Sequence, residues 1–220
     1  TGTGRVSEGA AFLLDVAGIK KVSPYNFWYN EFEEPVYTQL TSADMYHKEG
    51  EEKFNAENYH AHPKEYKSSF YPFTKVADIM INGIYWDKRI PVFFTKEQMK
   101  EKDFRIKIIS DITCDIAPES SVPSTLYASS IADPYYGYNV ATGELIQTFQ
   151  EDSLDVMAID NLPNELPRDA SEDFGNMIIS RIIPEIQKGD TSETIMGATI
   201  ALNGKLNSSY EYLTDYVLGK

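Results

Sequence analysis

Apolar residues along the first third of the chain alternate between two spacings, and each spacing predicts a different element. Val6, Ala10, Leu13, Leu14 and Ala17 recur at i, i+4, i+7, i+8 and i+11, one face of an α-helix, and Gly18 stands where a glycine ends one. Residues 35–40, Pro-Val-Tyr-Thr-Gln-Leu, are rich in β-formers and predict a strand. Apolar runs at 77–82, 105–109 and 154–159 predict three more strands, and a helix over 96–101 begins after Thr95 as its N-cap. Ala170, Phe174, Met177, Ile178 and Ile182 share a second helical face, which Pro184 ends or kinks. Both apolar helix faces are expected to be core. A last helical stretch lies near 210–218. The polar, aromatic stretch 43–73 reads as a solvated insertion with one short helix near 63–70, and 116–150 as a long loop holding a hairpin. Strand, helix, strand is the rhythm of a parallel sheet, so the fold class is α/β with flanking helices and an insertion after the second strand.

The opening ten residues carry the first candidate chemistry. Gly2 and Gly4 stand at G-x-G spacing and lead directly into the first helix. A glycine turn at a helix start lets backbone approach a pyrophosphate, and the free amides of the first turn bind the anion. Ser7 replaces the third glycine of that pattern, with Gly9 two residues later, and no strand precedes the turn. The alternative is an ordinary tight turn. At the end of the second strand, where a ribose would be met, stand Thr41 and Ser42, with Asp44 beyond and no arginine nearby. That leaves the choice between NAD and NADP open.

Ligands of a parallel sheet bind beyond the carboxyl ends of its strands, which puts Asp111 and Asp115 in the expected crevice. His60 and His62 could form half of a metal site, but no cysteine is close and no H-x-x-x-H pair exists, so a solvated loop is the better reading. No metal is expected.

Acidic residues outnumber basic ones by 34 to 20 over 220 residues, a formal charge of −14, which argues against nucleic acid or an anionic membrane as partner. A single cysteine, Cys114, forms no internal disulfide and suits a reducing, cytoplasmic setting. No apolar run reaches the ~20 residues of a membrane helix. The chain does not begin with Met and reads as a fragment. No internal repeat or separate linker is visible, so residues 1–220 are expected to form one dinucleotide-binding domain with a helical tail over about 190–220.

Four separated segments resemble one family: Gly2-Thr3-Gly4-Arg5-Val6 with Gly9-Ala10, Asn82-Gly83-Ile84-Tyr85-Trp86, residues 108–116, and residues 157–171. The last is the most specific, since it contains D-N-L-P-x-E-L-P-R-x-A-S. Together they are similar to the nucleotide-binding half of lysine-forming saccharopine dehydrogenases and lysine–ketoglutarate reductases, within the wider alanine dehydrogenase and transhydrogenase fold group. The likeness runs to about residue 187 and leaves out 43–73. It implies a Rossmann-type sheet and hydride transfer between NAD or NADP and the secondary amine of saccharopine, with release or uptake of lysine and 2-oxoglutarate.

By that resemblance, Gly2, Gly4 and Arg5 sit at the pyrophosphate and Tyr85 and Ile112 line the cofactor cleft. Ile159, Asp160, Asn161 and Leu162 lie near the nicotinamide and its ribose, Thr41 near the adenosine ribose. Thr113, Cys114 and Asp115 face the amino-acid substrate. The family's acid–base lysine and histidine belong to a preceding substrate domain that this chain does not contain, so no catalytic residue is assigned here. The chain alone is expected to bind nucleotide weakly or not at all and not to turn over saccharopine. A homodimer is among the assemblies open to it. Two other readings stand beside this one: an alanine-type amino-acid dehydrogenase, and a non-catalytic Rossmann domain whose insertion binds a protein partner.

Bland roles compete at each residue. Asp160 could cap the following helix, Asp115 could satisfy loop amides, and Asp111 reads as a strand-end acid bonding its neighbours. Arg5 could be a solvated first-turn residue, Cys114 a packed thiol, and Tyr85 and Trp86 core aromatics.

Overall fold

Gly4 stands in extended backbone just before the first helix, α1 (Arg5–Val16), and brings no side chain to cap it. The periodicity placed this helix correctly but not its buried face. Ser7, Ala10, Ala11 and Leu14 turn inward, while Val6 and Leu13 are exposed. The inward stripe is narrow and small because α1 lies close against the chain beyond it, and the larger apolar residues are left outside.

A computed structural model describes residues 1–189 and 192–220, which divide into two compact units, Thr1–Leu162 and Pro163–Lys220. In the first unit, β1 (Lys20–Lys21) leads through α2 (Pro24–Tyr29) to β2 (Val36–Tyr37), and β1 and β2 pair in parallel. The run 35–40 thus yields a strand of only two paired residues.

The insertion after β2 departs most from its sequence reading. It holds α3 (Ser42–Met45), β3 (Tyr46–Lys48), α4 (Ala56–Ala61) and β4 (Tyr66–Ser68), with β3 and β4 antiparallel. It is not a solvated loop: Met45, Tyr46, Tyr59, Tyr66 and Phe70 are buried in the main core. Tyr46 and Tyr59 pack with ring centroids 5.2 Å apart, and Phe70 lies 4.6 Å from Phe93. The tyrosines of this stretch serve as large apolar bodies, and the Tyr46 hydroxyl finds a partner in the Pro91 carbonyl.

β5 (Ile79–Asn82), α5 (Lys96–Met99) and β6 (Ile108–Asp111) follow, with Thr95 capping α5 in a reciprocal capping box with Gln98. Within 116–150 the expected hairpin is β7 (Tyr135–Asn139) and β8 (Leu145–Ile146), and β9 (Ser153–Met157) completes the set. These form one sheet in the order β5-β6-β9-β7-β8, parallel from β5 to β9 and antiparallel at β7 and β8. Ile109 and Val156 are fully buried at its centre. The mostly parallel sheet with flanking helices is Rossmann-like.

The second unit is helical. α6 (Pro167–Met177) passes through a π-helical turn (Ile178–Ile182) into α7 (Ile183–Gln187). The wide turn comes just before Pro184, whose missing N–H breaks the ordinary ladder. On the face that reads as core, Ala170, Met177, Ile178 and Ile182 are half-buried and Phe174 is exposed, while Ile179, Ile183 and Ile186 beside it are exposed. α8 (Glu193–Ala198), the hairpin of β10 (Ala201–Leu202) and β11 (Lys205–Leu206), and α9 (Thr214–Val217) follow. Asp190 and Thr191, the first residues of the expected tail, lie outside the described residues. Among the described residues no helix is long and apolar enough to cross a membrane.

The Thr1 nitrogen donates to the Ile81 carbonyl at 2.6 Å, which ties the start of the turn to β5.

Candidate functional site

The site is built where the parallel strands end. Asn82 closes β5 and Asp111 closes β6, side by side in register, and both are 0% exposed. Asn82 donates through its amide to Asp111 Oδ1 and to Ser121 Oγ, each at 2.8 Å, and its Oδ1 accepts from Thr1 Oγ1 at 2.7 Å. Asp111 Oδ2 accepts from Thr125 at 2.6 Å, and Oδ1 from the Cys114 amide at 3.2 Å. Burial pushes the Asp111 carboxyl above its ordinary value, against the pull of these donors. Asp111 is thus the strand-end acid its position suggests, a brace for the loop that follows.

The same hydrogen bonds tie the four predicted segments together. Ser7, 6% exposed, places its hydroxyl 2.8 Å from the Thr1 carbonyl and 2.9 Å from the Gly83 carbonyl. A side-chain carbon on Gly83 would stand 2.9 Å from Ser7 Oγ and 3.2 Å from Val6. The close helix-to-strand approach that a third glycine would provide is therefore supplied from the opposite wall, by Gly83. Thr113 donates to the Ile84 carbonyl at 2.8 Å, and Cys114 donates from Sγ to the Ala158 carbonyl at 3.0 Å. The α1 turn and the loops after β5, β6 and β9 are joined along one edge of the sheet.

Gly2 has φ +89°, and its amide donates to the Leu40 carbonyl at 2.9 Å. Gly4 is exposed, and a side-chain carbon there would meet nothing within 4 Å. Arg5 is exposed at the first position of α1. Thr41 caps α3 and is bonded both ways to Asp44, a complete local structural role. Tyr85 is 88% exposed, whereas Trp86 beside it is buried. Ile112 is half-buried, its amide donating to the Asn82 carbonyl.

Cys114 has φ +55°, and burial beside Asp111, Asp160 and Asp115 pushes its thiol up to about 11. It is protonated at neutral pH and is no nucleophile. Asp115 is half-buried, and burial followed by the charge of Asp111 raises its pKa. Ile159 is buried and forms a parallel bridge with Ser129. Asp160 and Asn161 are exposed beyond it, and Leu162 begins a 3₁₀ turn. His60 and His62 are exposed, and among the described residues no group of three or more His, Cys, Asp or Glu could hold a metal ion.

Sequence reasoning missed Asn82, Ser121, Thr125 and Ser7 as the parts that hold these loops. The signal at Asn82 was there: a polar residue closing an apolar strand, followed by glycine.

No protein-family model matches the chain. It is 30% identical to alpha-aminoadipic semialdehyde synthase of Arabidopsis thaliana over 79% of its own length and 17% of that protein. It is 24% identical to the mitochondrial alpha-aminoadipic semialdehyde synthase of Bos taurus over 97% of its length and 26% of that protein. To saccharopine dehydrogenase [NAD(+), L-lysine-forming] of Candida albicans it is 32% identical, over 55% of the chain and 30% of the relative. The chain thus spans less than a third of each of these curated relatives. By these likenesses the chain is a homologue of alpha-aminoadipic semialdehyde synthases and saccharopine dehydrogenases.

Proposed function

We propose that the chain is the nucleotide-binding part of a saccharopine-dehydrogenase-like oxidoreductase that uses NAD or NADP and acts on a C–N bond of an amino-acid substrate. The observation that carries this reading is the joining of the α1 turn to the loops after β5, β6 and β9 along one sheet edge. The residues fit the cofactor: Gly4 leaves open space before the first turn of α1, and no side chain caps the amides there. Those amides and Arg5 would hold the pyrophosphate. Tyr85, Ile112 and the residues 159–162 would line the nicotinamide side, and Thr41 the adenosine side. The bound nicotinamide supplies the hydride acceptor or donor.

The chain's own residues bind and orient. Asp160 is exposed at a strand end, where its carboxylate can accept from ribose hydroxyls. Thr113, Cys114 and Asp115 would face the substrate. Asp115 and Asp160, near the Cys114 thiol, make that end of the crevice electronegative, which suits a substrate ammonium group. The relatives named for NAD(+) favour NAD, and mitochondrial relatives set a second compartment beside the cytoplasm. The acid–base groups would come from a substrate domain, so the chain alone does not turn over saccharopine.

Gly4→Val tests the binding step without loading the fold, because its side chain points into open space. Millimolar NAD should shift the amide NMR signals of Gly4, Arg5 and Val6 in the parent. The valine variant should bind at least roughly tenfold more weakly at an unchanged melting temperature. Shifts confined to amides away from Gly4, Arg5 and Val6, or equal binding by the variant, would overturn the reading.

A further inference from the structure

Asn82-Gly83, the dipeptide that closes β5, has one counterpart in the chain, Asn203-Gly204. The same chemistry is open to both pairs. The glycine nitrogen can attack the asparagine Cγ, because a residue without a side chain shields its own nitrogen least. The fold treats the two pairs in opposite ways.

Asn82 is 0% exposed, and its carboxamide is held at both ends. The nitrogen donates to Asp111 and Ser121, and the oxygen accepts from Thr1. Turning Cγ toward the Gly83 nitrogen would break all three bonds inside the core, each at a desolvation cost. That pair is locked in the folded chain.

Asn203 and Gly204 form the two-residue turn between β10 and β11, with φ +53° and +75°, the positive values such a turn demands. Both are exposed, and a side-chain carbon on Gly204 would meet nothing within 4 Å, so no neighbour crowds its nitrogen. The hairpin is closed by the pairs Ala201–Leu206 and Leu202–Lys205, and by the Asn207 amide donating to the Ile200 carbonyl at 2.9 Å. A two-stranded ribbon of that length opens at little free-energy cost, and opening releases Asn203 from the left-handed backbone that holds it away from attack. The neighbouring Asn207 side chain is held at both ends, its amide on the Met196 carbonyl and its oxygen on the Ser209 amide.

We propose that Asn203 is a site of spontaneous deamidation, and that the packing around Asp111 protects the identical dipeptide at Asn82. The Gly204 nitrogen gives its proton to solvent and bonds to Asn203 Cγ, and the side-chain nitrogen leaves as ammonia. Water, the co-reactant, then opens the cyclic imide at one of its two carbonyls. One opening leaves aspartate at position 203. The other routes the main chain through Cβ, which lengthens the turn by one atom and breaks the register of β10 with β11. Either product adds a carboxylate to a chain whose formal charge is already −14.

This inference is independent of the nucleotide reading. The 220-residue chain is incubated at mildly alkaline pH, folded and in urea, and peptide mapping by mass spectrometry reads conversion at positions 82 and 203. Hydroxylamine, which cleaves the imide, reads the intermediate as a break after Asn203. In the folded chain Asn203 should convert at least roughly tenfold faster than Asn82, and in urea the two rates should lie within roughly threefold of each other. A folded-state rate at Asn203 no greater than that at Asn82 overturns the inference. So does an equal gap in urea, which would assign the selectivity to flanking sequence rather than to the fold.

Discussion

Replacing Asn82 with leucine is expected to lower the unfolding free energy by about 3–5 kcal/mol, although the two side chains share a branched shape. Asn82 is fully buried and meets Asp111, Ser121 and Thr1 at once. Leucine would take from Asp111 Oδ1 one of its two donors, leave Ser121 Oγ without its donor and leave Thr1 Oγ1 only the long contact to the Ile81 carbonyl, and buried polar groups that lose partners carry a desolvation penalty. The Asp111 carboxyl, already raised by burial, would rise further. A group whose pKa is higher in the folded state stabilises at low pH, and that stability is lost as pH rises through the folded value. The variant should therefore be least impaired in acid and most impaired at neutral pH. Urea titrations at several pH values check both points; a loss under about 1 kcal/mol at neutral pH would mean that water replaces asparagine at little cost.

Gly2→Ala should cost about 3 kcal/mol, where Gly4→Val costs almost nothing, although both glycines belong to the same short turn. Gly2 sits at φ +89°, a conformation disfavoured for residues with a side chain. A carbon added there would lie 2.7 Å from Ser7 Oγ, 3.1 Å from Ile84 and 3.2 Å from the Gly83 carbonyl. Backbone strain and overpacking each contribute about 1–2 kcal/mol. Displacing Ser7 also loosens α1 against the β5 loop, so nucleotide binding should fall together with stability. Thermal denaturation of the two variants separates the glycine that shapes the turn from the one that leaves room in front of it. Equal melting temperatures would show that the turn adapts.

Much of the frame was legible because it rests on local patterns. α1, the Thr95 cap, β5, β9 and the hairpin of β7 and β8 follow from spacing, capping chemistry and β-rich runs. Burial was less legible. Leu13 and Val6 share a helical face with Leu14, yet only Leu14 turns inward, because the depth of α1 is set by the Ser7–Gly83 contact and not by hydrophobicity. The insertion was misread for a related reason. Its charged residues point to a solvated loop, but Tyr46, Tyr59 and Tyr66 among them pack their rings into the core. At the site, the strand-end position of Asp111 could be read from a strand followed by a polar loop. Its partners Ser121 and Thr125 lie in a long connection with no periodicity, and only the folded chain brings them to it.

The meeting of Ser7 with Gly83 shows that a glycine turn opening a helix does not need its spare volume in one fixed place. What the packing constrains is the combined bulk of two facing positions more than 70 residues apart in the chain. A small residue on either wall satisfies it. Counting glycines within a single loop therefore measures the wrong quantity: a sequence can hide the fingerprint by dividing it between a helix and the end of a neighbouring strand.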